Sequence, residues 1–388
     1  MVTVCQARNL LAALMLVRAA VAMSGTTWYV NGSTGSDTNS CRSATAACRT
    51  IGHAISLAAT GDSVMVAAAT YAEHLSIDVS LNLVGASASS TTIDGGGSMY
   101  ATVVGVSAGT QVTLSNFTIR GGHAKSTGGG IYNLGTLALR NSTVTGNTAG
   151  VAYCSEFCWV LGGGIYNHSG ATLTISNTTI AGNSASLDCE GKGGCVVMGG
   201  GIENAGVMSV VNSTVSGNTA QYTFHGVLVA AFGGGIANRG GTVDIDSSTI
   251  SANAASGGGG GGINNTNTVV IRNSILASNS GGNCSGQLTS NIYTLSSIYT
   301  LSSDTTCALA GSGDLNNVNP KLGILGNYGG PTQTIPLLSG SPAIDAGDPS
   351  GCTDSQGHLV TTDQRGYPRP DTEDKIGCDM GAYESQSD

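Results

Sequence analysis

Residues 128–147 read Gly-Gly-Gly-Ile-Tyr-Asn-Leu-Gly-Thr-Leu-Ala-Leu-Arg-Asn-Ser-Thr-Val-Thr-Gly-Asn, and the chain repeats this stretch. The first motif, Gly-Gly-Gly-Ile-x-Asn, returns at 162–167, 199–204, 233–238 and 260–265, at intervals of 34, 37, 34 and 27 residues. The second motif, Asn-Ser-Thr-Val-x-Gly-Asn, returns with changes at 177–183, 212–218, 247–253 and 273–279. Self-similarity at such a period predicts a solenoid in which each repeat forms one coil.

Apolar residues alternate with polar ones in each repeat, as strands with one buried face require. One column follows the glycines and contains Ile131, Ile165, Ile202, Ile236 and Ile263. A second begins at Leu137 and Leu139, and a third contains Val144, Ile180, Val215, Ile250 and Leu276. Three columns separated by turn residues predict an all-β fold, a right-handed parallel β-helix wound around a narrow apolar core.

Stacking in a β-helix places equivalent residues of successive coils about 4.8 Å apart. One column of the repeat consists of asparagines, namely Asn147, Asn183, Asn218, Asn253 and Asn279. We expect their amides to hydrogen-bond from coil to coil at a tight turn. We expect the triple glycines to supply backbone conformations with positive φ where the chain bends sharply.

The N-terminal segment, residues 1–22, is predicted to be a signal peptide. Arg8 precedes a short apolar stretch, and Ala20-Val21-Ala22 matches a cleavage site of the A-x-A type. An apolar strand is the alternative, because Arg18 lies inside the segment. Cleavage removes Cys5 and leaves ten of the 11 cysteines, and an even number in an exported chain indicates disulfides.

The next segment, residues 23–100, is predicted to contain an N-terminal helical cap and the first coils. Residues 50–59 place Ile51, Ile55 and Ala58 on one helical face, which suits a helix that covers the open edge of the first coil. The repeat coils with their loop insertions then occupy residues 101–282.

Three parts of the chain resemble known families. Residues 28–97, with Cys48-Arg49-Thr50-Ile51 and Gly61-Asp62, resemble the opening of many bacterial pectate-lyase-like β-helix proteins. Asn-x-Ala followed by Gly-Gly-Gly-Ile resembles the repeat of polymorphic outer-membrane proteins, with Val or Ile replacing their Phe. The segments that resemble the choice-of-anchor Q domain are 283–286, 327–332, 340–348, 362–366 and 378–384. This last resemblance implies that residues 283–388 form a loop-rich C-terminal cap of a cell-surface protein.

The charge balance excludes one class of partner. The formal net charge is −9 and no run of Lys or Arg occurs, whereas nucleic-acid binding needs a basic stripe. The mature chain also has no apolar run long enough to be a transmembrane segment.

The ten remaining cysteines fall into neighbouring pairs. Cys41 with Cys48, Cys284 with Cys307, and Cys352 with Cys378 suit local disulfides. Cys154 and Cys158 lie in one insertion, and Cys189 and Cys195 lie in the next, so these four suit disulfides within or across the insertions. A tetrahedral zinc site is the alternative for these four cysteines.

Three insertions, at 150–161, 186–198 and 221–232, enter at the same point of successive coils, so we expect one raised surface. It carries the aromatic residues Tyr153, Phe157, Trp159, Tyr222 and Phe224, and Tyr132 and Tyr166 form an outward column beside it. Exposed aromatic rings on an elongated face suit the apolar faces of sugar rings. The alternative is that these rings pack together to hold the insertions in place.

Glycoside hydrolases need two carboxyl groups about 5 to 9.5 Å apart. The catalytic candidates in the coils are Glu203, Asp244 and Asp246. Asp246 precedes Arg272 in its column, which predicts an exposed ion pair worth ~0–1 kcal/mol. No acidic cluster matches the calcium site of pectate lyases, and no metal site is predicted. In the acidic C-terminal part, buried salt links of Asp345 and Asp363 are expected, with calcium as the alternative.

Together these patterns favour an exported or cell-surface, non-catalytic, adhesin-like β-helix that binds extracellular polysaccharide or a cell-surface glycan. A polysaccharide lyase or glycoside hydrolase is the first alternative. A structural or ice-binding solenoid is the second, because threonines form a regular column at Thr118, Thr143, Thr179, Thr214 and Thr249.

Overall fold

The computed structural model describes residues 25–97, 100–154, 158–189, 194–224, 229–286, 294–371 and 377–386, without the side chains of 151–154, 224 and 229. The predicted signal peptide therefore lies outside the described residues. Within them, no helix has the length and apolar character needed to span a membrane.

Short strands pair in parallel from coil to coil, which confirms the predicted parallel β-helix. We call its three walls sheets A, B and C; over the described residues they contain ten, ten and eight strands. Sheet A consists of Thr27–Val30, Asp62–Val66, Leu81–Gly85, Gln111–Ser115, Thr136–Arg140, Thr172–Ser176, Val207–Val211, Thr242–Asp246, Thr268–Arg272 and Thr294–Ile298. Sheet B consists of Ala69–Ala72, Thr91–Asp94, Thr118–Arg120, Thr143–Thr145, Thr179–Ala181, Thr214–Ser216, Thr249–Ser251, Ile275–Ala277, Leu301–Ser302 and Leu315–Asn316. Sheet C consists of Leu75–Ile77, Val104–Val106, Ile131–Asn133, Ile165–Asn167, Ile202–Asn204, Ile236–Asn238, Ile263–Asn265 and Cys284–Ser285.

The three apolar columns of the sequence line the inside of the three walls. Ile131 pairs with Ile165 in sheet C, Leu137 with Leu173 in sheet A, and Val144 with Ile180 in sheet B. All six side chains are fully buried in one core. Because burial of such a side chain contributes about 1.5–3 kcal/mol, stacking of coils is the main source of stability.

The predicted asparagine ladder is present. The Nδ2 of each side chain donates to the Oδ1 of the next, at 3.0 Å from Asn147 to Asn183, 2.9 Å from Asn183 to Asn218 and 2.9 Å from Asn218 to Asn253. The sequence interpretation missed a second buried ladder, formed by the last residue of each Gly-Gly-Gly-Ile-x-Asn motif. Its Nδ2 to Oδ1 distance is 2.8 Å from Asn133 to Asn167 and 2.7 Å from Asn167 to Asn204.

The triple glycines have two different roles, only one of which was expected. In each triplet only the first glycine has a left-handed backbone, as Gly162 shows with φ of 68°. The other two lie too close to neighbouring coils for a side chain, since a Cβ on Gly163 would lie 2.4 Å from the carbonyl oxygen of Gly200. Most of these glycines are therefore needed because the backbones of neighbouring coils come close together, and not because of a positive φ.

The N-terminal cap contains the expected helix, Ile51–Leu57, after a 3-10 turn at Ala44–Ala46. The Thr50 side chain accepts a hydrogen bond from the His53 amide, and the Glu73 carboxylate accepts the amides of Ile51 and Gly52, both at 2.8 Å. The helix buries Ile51, Ala54 and Ile55, whereas Ala58 follows it and is only partly buried. These caps anchor a helix that is too short to be stable alone.

The loop-rich C-terminal segment begins at residue 317 rather than at 283, because strands between residues 284 and 316 still belong to sheets A, B and C. This segment, residues 317–386, packs along the outer face of sheet B. Gln364 hydrogen-bonds Thr179 and Thr214, and the Ala382 amide donates to Thr249 at 3.0 Å. Thr179, Thr214 and Thr249 are at most 1% exposed. The expectation of a regular exposed threonine face, on which the ice-binding alternative depends, is therefore wrong for these three residues.

Several acidic side chains of this segment form ion pairs or accept hydrogen bonds from backbone amides. Arg365 lies 2.7 Å from Asp363, and Arg369 lies 2.7 Å from Glu384, with all four side chains buried. Asp379 accepts the amides of Asp345, at 2.9 Å, and of Ser385. The expected buried salt link is thus formed by Asp363, whereas the expectation is wrong for Asp345, whose side chain is exposed. Calcium would have to displace these donors, so the arrangement does not support the calcium alternative.

Candidate ligand-binding site

The three insertions form an ordered projection, which we call the fin, rather than loops. It consists of sheet D, with strands His123–Ala124, Thr148–Cys154, Ser184–Cys189, Thr219–Phe224 and Ala254–Ala255, and sheet E, with strands Cys158–Leu161, Cys195–Met198 and Val229–Phe232. The insertions emerge from one edge, as expected. They stack because they enter at equivalent points of coils that already stand in register.

A small apolar core holds the two sheets of the fin together. Val160, Leu187, Val197 and Ala231 are buried between them, and Tyr222 packs against the same core. For Tyr222 the structure therefore favours the packing interpretation. The side chains of Tyr153, Phe157 and Phe224 lie outside the described residues.

Disulfides join the predicted neighbouring cysteines. The pairs Cys41–Cys48, Cys284–Cys307 and Cys352–Cys378 are formed, and Cys189 pairs with Cys195 inside one insertion. Cys158 is also disulfide-bonded, and the side chain of Cys154 lies outside the described residues. The zinc alternative is wrong for Cys158, Cys189 and Cys195, because their sulfurs are oxidised.

The fin meets sheet C along an inside corner. Leu161, Met198 and Phe232 of sheet E pack against Tyr166 and Ala237 of sheet C. Since side chains two apart share one face of a strand, Trp159 lies on the same face as Leu161. We use "the corner" for the set Tyr132, Trp159, Tyr166, Glu203 and Arg239.

Two tyrosines form the sheet C side of the corner. Tyr132 and Tyr166 pair in register on adjacent coils, with their rings stacked at 5.3 Å and an interplanar angle of 23°. The expectation that both are exposed is wrong for Tyr166, which the fin covers to 7% exposure. Trp159, by contrast, is 41% exposed.

The next residue of the tyrosine column is Glu203, which pairs in register with Tyr166. Its carboxylate is fully buried, and Arg239 Nε lies 2.9 Å from its Oε1. Burial raises the pKa of Glu203 to about 7, even though the Arg239 charge acts to lower it. The second oxygen, Oε2, has no hydrogen-bond partner among the described residues.

Arg239 connects this buried acid to the surface. Its side chain is 35% exposed, and its guanidinium carbon lies 5.3 Å from the centre of the Trp159 ring. Burial and the neighbouring Glu203 charge raise the pKa of Tyr166, while Arg239, which it also hydrogen-bonds, acts to lower it. The corner thus combines a partly exposed indole, a guanidinium held by an ion pair and a stacked tyrosine pair.

The other two carboxylate candidates lie on sheet A, on a different wall from Glu203. Arg272 lies 3.1 Å from Asp246 and 4.0 Å from Asp244. The expectation of an exposed pair is wrong for Asp246, because the C-terminal segment covers it and the Ser355 amide donates to it at 3.0 Å. Burial raises the pKa of Asp246 to about 6. The structure therefore does not bring the three acids into one site.

No family model matches the chain, and no curated protein matches it. Among solved structures, it is similar to pectate lyase Pel9A, with 13% identity over 92% of this chain and 96% of that one, and a TM-score of 0.52. Pectin methylesterase PemA from Erwinia chrysanthemi follows at 11% identity, 71% and 89% coverage and a TM-score of 0.33. A pectin methylesterase from Aspergillus niger has 14% identity, with coverage of 75% of this chain and 85% of that one, and a TM-score of 0.30. The first similarity supports the right-handed parallel β-helix of the pectate-lyase type and shows the fold alone.

Proposed function

We propose that this protein is exported and binds an extracellular polysaccharide or a cell-surface glycan at the corner, without turnover. The observation that carries the proposal is the position of Trp159, which is 41% exposed and stands beside Arg239 where the fin meets sheet C.

The corner offers the chemistry that sugar recognition requires. An indole stacks on the apolar C–H face of a sugar ring, and a guanidinium offers several N–H donors to hydroxyl groups. Glu203 holds Arg239 in place, because the ion pair joins it to a fully buried carboxyl group. Since stacked coils extend the corner along the solenoid, an elongated glycan is the ligand class that suits it.

Export is supported by the disulfides. Four cysteine pairs are joined within the described residues, and Cys158 is also disulfide-bonded. Such bonds persist mainly in oxidising compartments, where secreted and cell-surface proteins fold.

A polysaccharide lyase or glycoside hydrolase is the second candidate function. The observation that favours it is Glu203, since a carboxyl group with a pKa of about 7 holds a proton at neutral pH and suits a general acid. Against it, Asp244 and Asp246 lie on another wall, whereas a glycosidase needs a second carboxyl group within about 9.5 Å.

A glycan array combined with a depolymerisation screen tests the proposal on the purified protein. We expect binding to a polysaccharide without release of reducing ends or unsaturated uronates, and loss of most binding in Trp159→Ala. Tyr100→Ala is the matched control, because Tyr100 is an exposed aromatic residue outside the corner. Turnover that is abolished in Glu203→Gln would support the enzyme hypothesis instead. Equal binding by Trp159→Ala and Tyr100→Ala would contradict a binding site at the corner.

A further inference from the structure

A cavity of about 780 Å³ lies within the C-terminal segment, away from the corner. Its lining includes Leu337, Ser339, Ile344, Tyr367 and Tyr383. The volume falls within the range of about 300–1,000 Å³ that is usual for small-molecule sites. The structural role of this segment, which covers sheet B, does not require such a cavity.

The aromatic wall of the cavity is fixed by Arg365. The guanidinium carbon lies 3.6 Å from the centre of the Tyr383 ring and 4.4 Å from that of Tyr367. Its nitrogens are also engaged, with Nε donating to Asp363 at 2.7 Å and Nη2 donating to the backbone oxygen of Glu384 at 2.5 Å. Both tyrosine rings therefore contact a cation whose own position is set by a buried carboxylate.

This arrangement also removes net charge from the cavity. Arg365 is itself one of the lining residues, and its charge is balanced by that of Asp363, with side-chain exposures of 4% and 0%. The remaining lining is neutral, with hydroxyl groups from Ser339 and Ser385 and the amide of Gln386 beside aliphatic side chains, whereas the Ser341 hydroxyl already donates to the carbonyl of Pro320. A neutral ligand with several hydroxyl groups is the class that fits such a lining.

Open aromatic faces complete the site. Tyr367, a lining residue, is 42% exposed, and Tyr328, which lies outside the lining, stands edge-on to the lining residue Tyr383 at 6.4 Å between ring centres. Aromatic faces beside hydroxyl and amide groups match a sugar, which has apolar C–H faces and a polar rim.

We propose that the cavity bounded by Tyr367, Tyr383 and Ser339 is a second binding site, specific for one or two units of a neutral saccharide. The site does not depend on the proposed function, because it shares no residue with the corner. A chain with both sites would hold an extended glycan at two points, or two different glycans.

Ligand-observed NMR on the full chain tests this site, with neutral mono- and disaccharides and the corresponding uronic acids as probes. We expect saturation transfer to a neutral sugar, about tenfold weaker binding in Tyr367→Ala, and near-normal binding in Tyr367→Phe, which keeps the ring. Leu359→Ala is the control, because Leu359 is an exposed apolar residue of the same segment that does not line the cavity.

The variant Trp159→Ala distinguishes the two sites. We expect it to leave saccharide binding at the C-terminal cavity unchanged, even if the corner binds nothing. The inference is overturned if no neutral sugar gives saturation transfer with the wild-type chain, if uronic acids bind in preference, or if Tyr367→Ala and Leu359→Ala bind equally well.

Discussion

Arg239 and Glu203 lie on adjacent coils and meet through one contact of 2.9 Å, with the carboxyl group fully buried and the guanidinium 35% exposed. This asymmetry has two consequences. The buried partner bears the cost of desolvation, which raises its pKa, and the exposed partner is held beside Trp159 at the surface. A structural pair thereby positions a group that a ligand can reach.

The raised pKa of Glu203 predicts a stability that depends on pH. The folded-state pKa of about 7 exceeds the ordinary value of 4.5, so the folded chain binds the proton more tightly than the unfolded chain. The contribution of Glu203 to the free energy of unfolding therefore falls as pH rises from about 4.5 to about 7, by roughly 2–3 kcal/mol. We expect denaturant titrations of Glu203→Gln to show a smaller fall than the wild type. Asp78→Asn, at an exposed acid, is the control, and identical pH profiles for the wild type and Glu203→Gln would exclude this effect.

Replacement of Arg239, the ion-pair partner of Glu203, should make the stability depend more strongly on pH, whereas Glu203→Gln should make it depend less. Arg239→Ala leaves a buried carboxyl group without its compensating charge, which destabilises the folded chain only where that group is ionised. We expect a loss of roughly 3 kcal/mol at pH 8 and a much smaller loss at pH 5. Thermal or denaturant unfolding at the two pH values measures the difference. A loss that is equal at both values would show that Arg239 acts through packing alone.

The asparagine ladder predicts a large cost for a single amide. Asn218 donates to Ile180 and Asn253, both at 2.9 Å, and accepts from the amide and the side chain of Asn183. Asn218→Ala leaves several buried polar groups without their hydrogen-bond partners, and we expect a loss of roughly 3 kcal/mol in the free energy of unfolding. Asn82→Ala, at an exposed site on sheet A, should cost little. Similar costs for the two variants would mean that the ladder does not contribute.

Contacts of the C-terminal segment with sheet B predict how that segment opens. Gln364 donates to Thr332 at 2.9 Å and to the carbonyl of Gln333 at 2.8 Å, and accepts from Thr214 at 2.6 Å. We expect Gln364→Ala to speed amide hydrogen exchange over residues 317–386 while the coil strands stay protected. Exposed Gln356→Ala should not do so. Faster exchange throughout the coils would show that the segment and the solenoid unfold as one unit.

Features that repeat at every coil were predictable from the sequence. The column that contains Asn147 predicted its own ladder, because stacking brings identical groups together. The ladder through Asn133 was missed, although a final asparagine in every copy of the first motif is a readable signal.

Features that depend on distant contacts were not predictable. The burial of Thr179 depends on Gln364, 185 residues away, and that of Asp246 depends on Ser355, 109 residues away. Periodicity indicates which residues point outward from a coil, but it does not reveal which outward faces another segment will cover. The burial of Tyr166 has the same cause, since the fin that covers it is formed by insertions whose sheets the repeat pattern does not indicate.

The central claim is that a glycan stacks on Trp159 at the corner, and collisional quenching of tryptophan fluorescence by iodide tests it most directly. The chain has two tryptophans, of which Trp28 is 6% exposed and Trp159 is 41% exposed, so iodide reports mainly on Trp159 in the wild-type chain. We expect the glycan that binds best to protect the fluorescence from iodide, and this protection to be absent in Trp159→Ala. Saturating glycan that leaves the quenching of the wild-type chain unchanged would contradict the account.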